Sequence, residues 1–548
     1  MAKAVLEQGR LVIFASFRER EMMKTIPGTK WNQAAQLWYM PLSWSSLAAL
    51  RGTFGPDFEM DEEVLAWAWN ERKRVDGALA ARAASVPGSY GFQDVGISFL
   101  RTAGSALLAD EMGLGKTRQA VLSADLPCLV VCPNSMKYSW RDEWAKWRSD
   151  ATVAVVDGSV ASKKKALSSG ADVTIVNWES LRSYSRLAPY GSTRLTDKQR
   201  EIGPLNRPWA TVIADEVHRA KDPSSQQTRA LWAVGATAAR RIALSGTPVA
   251  NSPADLWSIM HFVAPEEWPS RNSFIDRYCI ASTNFWGGLD VVALRPERRT
   301  EMDAFFLPRF LRRQKSEVLT QLPSKTYATR MVGLTTQQYK VYETLRKEML
   351  ALVDDGVLAA FDPLVQTLRL LQVASAMPVV DEAGGVTSLT KPSNKLDALQ
   401  GILEEAGGQP LVAFAQSRKF IELCDRELDV DRVLITGAQS PSERADNVAR
   451  FQTGTVPLAL VTLGAGGEGI TLTAASTAVF LQRSWSLVQN LQAEDRIHRI
   501  GQEAEAVNII DVVSMGTIEQ RVHEAFAGKE MTLADVMKDK AVLRSLLV

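Results

Sequence analysis

Residues Asp110 to Thr117 read D-E-M-G-L-G-K-T. They follow the short apolar run Ala106 to Ala109 and precede a segment that can open a helix. A strand, a glycine-rich turn and a helix N-terminus make a phosphate cradle, because the turn's N–H groups and the helix dipole face the anion. Gly113 and Gly115 permit positive φ and close backbone approach. Met112 and Leu114 fill out the turn. Lys116 offers a mobile cation to β- and γ-phosphates, and the Thr117 hydroxyl can ligate Mg2+. The strict pattern asks for glycine where Asp110 stands, so this loop is a variant. Downstream, Ile213-Ala214-Asp215-Glu216-Val217-His218 reads as a buried strand ending in two carboxylates. At the C-terminal end of a strand beside a phosphate loop, Asp215 is expected to hold the metal through its water shell. Glu216 is expected to orient or deprotonate the attacking water. Alone, such a pair is an ordinary solvated helix cap; the upstream loop favours the catalytic reading. Ser245-Gly246-Thr247-Pro248 ends the next strand, where Ser245 and Thr247 can bond to His218 and couple the site to the rest of the chain. In Q-A-E-D-R-I-H-R-I-G-Q, residues 492–502, Arg496 and Arg499 stand three apart and would share one face of a helix. Two guanidiniums so placed can reach a γ-phosphate and stabilise transition-state charge.

These residues need strands to carry them. The 548 residues exceed one core and suffice for several domains. No apolar run approaches the ~18 residues of a membrane span, and the N-terminus lacks a signal-peptide core. Four cysteines are too few for a disulfide framework. Cys128 and Cys132 flank Leu129, Val130 and Val131, a buried-strand pattern rather than a metal site, and the compartment is expected to be reducing. A net charge of +1 leaves nucleic acid open, since a groove needs only local positive charge. Fifteen tryptophans suggest core and domain-interface roles.

The expected fold class is α/β, with two RecA-like parallel-sheet lobes, helical insertions and a small N-terminal α+β module. Residues 1–60 read as a separate module: a strand from Arg10, a helix near Glu19 to Thr25, a hairpin pairing Trp31 with Leu37 to Met40, and a helix capped by Ser43. Residues 61–85 read as a helical linker. The first lobe spans 86–265, with strands at Leu129 to Cys132, Val173 to Val176, Val212 to Ala214 and Ile242 to Leu244. Residues 266–330 read as a helical insertion and inter-lobe linker. The second lobe spans 331–515, with a helical insertion near 335–377. Its strands are expected at Leu411 to Phe414, Val433 to Ile435, Leu458 to Val461, Ala478 to Leu481 and Val507 to Val512. Residues 516–548 read as C-terminal helices, Ile518 to Phe526 and Leu533 to Leu547.

In this order the motifs resemble those of superfamily 2 helicases, specifically the Swi/Snf-type ATPases, over roughly Tyr90 to Gln520. Phe92-Gln93 resembles the element that reads adenine. Val130 to Met136 with Trp140 and Trp144 resembles motif Ia, and Leu244 to Pro248 with Asn251 and Leu256-Trp257 resembles motif III. Arg312 to Lys315, continuing to Leu322-Pro323-Ser324-Lys325, resembles the family's own linker. Asn394-Lys395-Leu396 and Phe414 to Ser417 open the second lobe, Thr462 to Thr471 corresponds to motif V, and His498 to Gln502 closes the set. Val217 departs from the usual alanine, and Glu468 stands where many relatives are neutral. The first 60 residues are similar to the HepA-related module of annealing helicases, through Ile26-Pro27-Gly28, Trp31, Trp38 and Pro41-Leu42.

The resemblance implies ATP and Mg2+ as cofactors and duplex or forked DNA as partner, gripped mainly by its phosphates. Lys137 and Thr462 are the candidate DNA contacts. The implied activity is a DNA-stimulated ATPase that translocates on duplex or forked DNA, with fork remodelling, strand annealing or DNA repair as its setting. The alternative keeps the motor but displaces a protein such as a polymerase. A third reading is a scaffold that binds without turnover. A monomer in the cytoplasm of a bacterial or phage-infected cell, away from membranes, is expected.

Overall fold

The computed structural model describes residues 2–80, 88–185, 203–246, 253–283, 289–306, 308–319, 323–354, 363–382, 385–466, 470–499 and 501–525. The chain divides into two compact units, Met1–Val318 and Leu319–Val548.

The first unit opens with its own sheet. Strands β1 (Lys3–Glu7), β2 (Arg10–Phe14), β3 (Lys30–Asn32), β4 (Leu37–Pro41) and β5 (Glu59–Met60) lie in the order β3-β4-β2-β1-β5. Helix α1 (Arg20–Lys24) and helix α2 (Trp44–Phe54) complete it. The hairpin sets Trp31 opposite Trp38, ring centroids 5.1 Å apart. Ser43 caps α2 by accepting the Ser46 amide. This segment keeps a core of its own, including Leu11, Ile13, Trp38, Met40 and Leu50. It is nonetheless fastened to the rest of the unit. Arg277 pairs with Glu301 at 2.7 Å, both nearly fully buried, and donates to the Ala49 carbonyl and the Thr53 hydroxyl of α2. Trp44 donates to the Ala304 carbonyl at 2.7 Å, and Ser45 to Glu267 at 3.0 Å. Helix α3 (Glu62–Ala80), expected as a linker, donates through Arg74 to the Thr102 carbonyl at the end of helix α4 (Gly91–Ala103).

The main sheet of this unit uses β6 (Ala106–Leu108), β7 (Cys128–Cys132), β8 (Val153–Val155), β9 (Val173–Asn177), β10 (Trp209–Ala214) and β11 (Ala238–Leu244). After a hairpin of β12 (Cys279–Thr283) and β13 (Leu289–Leu294), the short β14 (Phe310–Leu311) returns to it. The order is β14-β6-β11-β10-β7-β9-β8, and every pairing is parallel. Sheets covered on both faces carry near-continuous apolar strands, and β7 and β9 are buried at every position. Helices α5 (Lys116–Ser123) and α6 (Lys137–Trp147) cover one face, where Trp140 and Trp144 are fully buried. The stretch 266–330, expected as a helical insertion and linker, therefore holds β12, β13, β14 and most of the strand Ser324–Val332 besides its helices. β12 and β13 are a two-stranded hairpin, and β14 is too short to show a period.

The second unit is built on β15 (Ser324–Val332), β18 (Leu411–Ala415), β19 (Arg432–Ile435), β20 (Leu458–Thr462), β21 (Thr477–Phe480) and β22 (Ala506–Ser514). A hairpin of β16 (Met377–Val380) and β17 (Val386–Thr390) stands apart from them. The sheet runs β15-β22-β21-β18-β20-β19, again wholly parallel. The insertion is two helices, Thr336–Asp354 and Pro363–Ser375, packed through Tyr342, Met349, Leu370 and Val373. Ile518–Ala525 is the last described helix, so the expected helix from Leu533 to Leu547 lies outside the described residues. No described helix is long and apolar enough to cross a membrane.

Candidate nucleotide site

β6 ends at Leu108, and the chain turns through residues 109–115 into α5. Gly113 has φ 82° and Gly115, the N-cap, φ 71°, values that L side chains rarely adopt. The turn delivers Thr117 to the first turn of α5. Lys116 rests on the loop itself: its Nζ donates to the Asp110 carbonyl at 2.7 Å and the Glu111 carbonyl at 3.2 Å. Gln93, on α4, is buried beneath the loop. Its Nε2 donates to the Leu114 carbonyl at 3.2 Å, and its Oε1 accepts from Arg118 at 3.2 Å. A Cβ at Gly115 would lie 2.4 Å from Gln93 Nε2, so a side chain there would displace the Gln93 amide.

β10 delivers the carboxylates to the same edge of the sheet. Asp215 Oδ2 accepts the Trp140 indole N–H at 2.9 Å, its Oδ1 accepts the Glu216 amide at 2.9 Å, and its carbonyl accepts the Trp178 indole at 3.0 Å. Burial, followed by the neighbouring Glu216 charge, pushes its carboxyl up to about 6, against the pull of Trp140 and Lys116. Glu216 sits at φ 49°, a left-handed conformation that costs a side-chain residue about 1–3 kcal/mol. Beyond that bend His218 Nδ1 lies 3.2 Å from Glu216 Oε2 and 3.3 Å from Ser245 Oγ.

β11 lies between β6 and β10, so Ser245 leaves the sheet between the phosphate loop and the acidic pair. The Ser245 amide donates to the Leu108 carbonyl, and a Cβ on Gly246 would meet Met112 Cγ at 2.5 Å. One edge of one sheet thus gathers Met112 to Thr117, Asp215, Glu216, His218 and Ser245. Thr247 lies outside the described residues, as does Glu468. Trp140 and Trp178, which hold Asp215, carry no signal in the sequence that would mark them as its donors.

In the second unit the helix expected to carry Arg496 and Arg499 ends earlier, as Leu487–Glu494. Both arginines lie in the turns that follow. Glu494 is nearly fully buried and bonded to Lys325, Tyr327 and Arg483, and Lys325 also pairs with Asp495. The Arg496 carbonyl is taken by the Leu472 amide at 2.9 Å. These anchors pull the chain off the helical path, so the two guanidiniums do not share a helix face. Arg499 Nη1 donates to the Ile470 carbonyl at 3.3 Å. Thr462 ends β20 and is largely buried. Lys137, expected on a DNA-facing surface, is instead 2% exposed and pairs with Asp157 at 2.8 Å. That ion pair and the Tyr138 hydroxyl outweigh burial and bring the Asp157 carboxyl down to about 2.

Against known families, residues 60–375 match the SNF2-related domain and residues 394–501 the helicase conserved C-terminal domain. The chain belongs to the SNF2-related family. The pair of matches is that of a Swi/Snf-type ATPase of helicase superfamily 2. Relatives of this SNF2-related chain include the DNA annealing helicase and endonuclease ZRANB3 of Bos taurus, 29% identical over 440 residues, covering 78% of this chain and 38% of the relative. An uncharacterized ATP-dependent helicase of Mycoplasma pneumoniae is 29% identical over 469 residues, 80% of this chain and 41% of the relative. The chain spans about two-fifths of the length of the curated relatives it matches. Among solved structures, the Sulfolobus solfataricus SWI2/SNF2 ATPase core in complex with dsDNA is 24% identical with a TM-score of 0.39, covering 85% of this chain and 95% of that one.

Proposed function

We propose that this chain is an ATP-driven motor that moves along duplex or forked DNA. One observation carries the reading: the phosphate loop and the Asp215–Glu216 pair leave the same edge of one parallel sheet, with Ser245 between them and His218 reaching both Glu216 and Ser245. The residues fit Mg-nucleotide. Two left-handed glycines leave the loop's N–H groups free of Cβ obstruction, and Asp215 brings a carboxylate to the same end of the sheet, an oxygen ligand of the kind Mg2+ takes alongside phosphate oxygens. Bound Mg2+ would neutralise phosphate charge.

The chain's own residues do the rest. Lys116 leaves the carbonyls of Asp110 and Glu111 for the phosphates. Thr117 and Asp215 would hold the metal side of the site; the Trp140 indole keeps the Asp215 carboxylate aimed, and the Trp178 indole fixes the Asp215 carbonyl. Glu216, bent out of the strand, orients the water. Arg496 and Arg499 are the proposed cations for the charge that develops on the γ-phosphate. His218, Ser245 and Thr247 relay the state of the site. Gln93 acts from beneath the loop as the base-side support. Thr462 is the proposed contact to a DNA phosphate. Half-exposed Trp31, with Arg20 5.4 Å from its ring, supports a role for the N-terminal module in gripping unpaired bases. The motor works as a monomer wherever the cell keeps its DNA.

The test is ATP turnover by the whole chain with no DNA, single strand, blunt duplex and fork. DNA should stimulate turnover, duplex or fork most. Glu216→Gln should cut it by at least ~100-fold while leaving nucleotide binding intact. Turnover unchanged by DNA, or by Glu216→Gln, removes the reading.

A further inference from the structure

Asp110 stands where a strict phosphate loop has glycine, and it has a partner that the mechanism above does not use. It is fully buried. Its carboxylate accepts a two-pronged bond from Arg313, Nε to Oδ1 at 2.9 Å and Nη2 to Oδ2, and a third bond from Gln119 Nε2 at 3.2 Å. Arg313 also donates to Gln119 Oε1 at 2.8 Å and to the Phe92 carbonyl, and its guanidinium lies 5.4 Å from the Phe92 ring. Gly96 makes the room: a Cβ there would fall 1.8 Å from Gln119 Oε1 and 2.7 Å from Arg313 Nη2.

The backbone repeats the grip. The β14–β6 ladder continues past both strands: the Ala109 amide donates to the Leu311 carbonyl at 2.7 Å, and the Glu111 amide to the Arg313 carbonyl at 2.9 Å. The Lys315 amide donates to Glu111 Oε2 at 2.7 Å. Residues 313–315 therefore hold Asp110 and Glu111, the two residues whose carbonyls hold Lys116.

We propose that Arg313 is a positioning residue for the phosphate loop. Through Asp110 and Glu111 it fixes both the resting place of Lys116 and the start of the turn that receives phosphate. The inference rests on reading Asp110 to Thr117 as a nucleotide site. A fork-shaped guanidinium matches a carboxylate at two points and still has a donor for Phe92; an ammonium is a point charge and does not. Residues 313–315 lie just before the chain passes into the second unit.

The test titrates the full chain with a fluorescent N-methylanthraniloyl ATP, and measures KM and kcat for ATP together with the thermal midpoint. Arg313→Lys should weaken analogue binding about tenfold and raise KM in parallel, with kcat at saturating ATP within about twofold of wild type. Asp110→Asn should weaken analogue binding to a similar extent. The double variant should be no worse than the weaker single, because both remove one interaction. Unchanged affinity in Arg313→Lys, or additive losses in the double variant, overturns the proposal. Should either single variant fail to fold, the neutral pair Asp110→Asn with Arg313→Gln removes the buried charges together; folded and weakly binding supports the proposal, folded and tightly binding overturns it. Wild-type chain that binds no analogue defeats the nucleotide reading and this inference with it; wild-type binding matched by Arg313→Lys defeats this inference alone.

Discussion

Asp215 shows function set against stability at one residue. Its folded pKa lies above the ordinary carboxylate value, at about 6 against 3.8. Between those values the native chain holds a proton that the unfolded chain has lost. Stability therefore falls as pH rises through that window, and the loss is complete above about pH 6, about 3 kcal/mol at most. Asp215→Asn removes the buried charge and keeps an acceptor for Trp140. It should abolish turnover yet raise the denaturation midpoint at pH 8, with the gain shrinking toward pH 4. Denaturant titrations at the two pH values check this; a gain independent of pH would assign the effect to something other than the carboxylate. At this scale the sequence was most informative, because the acidic pair and the phosphate loop are local patterns. It was silent on Trp140 and Trp178, whose bonds to Asp215 join residues 75 and 37 positions apart.

At the scale of elements, buried strands were legible because both faces are covered and their apolar runs are unbroken: β7, β9, β18 and β20 fall on the expected stretches to within a residue. Of the edge strands of the parallel sheets only β19 was, at Val433 to Ile435. β14 has two residues, β8 three, and β15, S-K-T-Y-A-T-R-M-V, is mostly exposed and polar at its start, without an unbroken apolar run. The helix expected across Arg496 and Arg499 failed for another reason: spacing can suggest a helix face, but buried ion pairs at Glu494 and Asp495 end it. Close packing of α4 against α5 and the 309–315 segment yields a prediction. Gly96→Ala puts a methyl where Gln119 and Arg313 meet. Overpacking of this kind costs about 1–3 kcal/mol. Nucleotide affinity should fall along with stability, as titration and denaturation of the same variant would show; loss of stability with unaltered affinity would separate α4 from the loop.

At the scale of the molecule, the N-terminal sheet has its own core but not its own independence. Arg277 and Glu301 are buried together, and two of the Arg277 donor bonds end on α2. Deleting residues 1–60 would keep the Arg277–Glu301 pair but strip the guanidinium of two neutral acceptors and uncover the surface that α2 packs on. The truncated chain should thus melt earlier, whatever its DNA preference. Substituting Trp31→Ala with Arg20→Ala leaves that contact intact and should reduce stimulation by forked DNA alone. An unchanged melting profile on truncation would show the module to be a separable attachment.

Lys116, resting on two carbonyls, has a consequence for how the cradle meets its ligand. An ammonium held there gives the two carbonyls at the head of the turn a cation from within the loop itself. On the nucleotide reading, the arrival of phosphate exchanges one set of electrostatic partners of Lys116 for another. The lysine offered to phosphate is thus also a strut of the turn that would receive it.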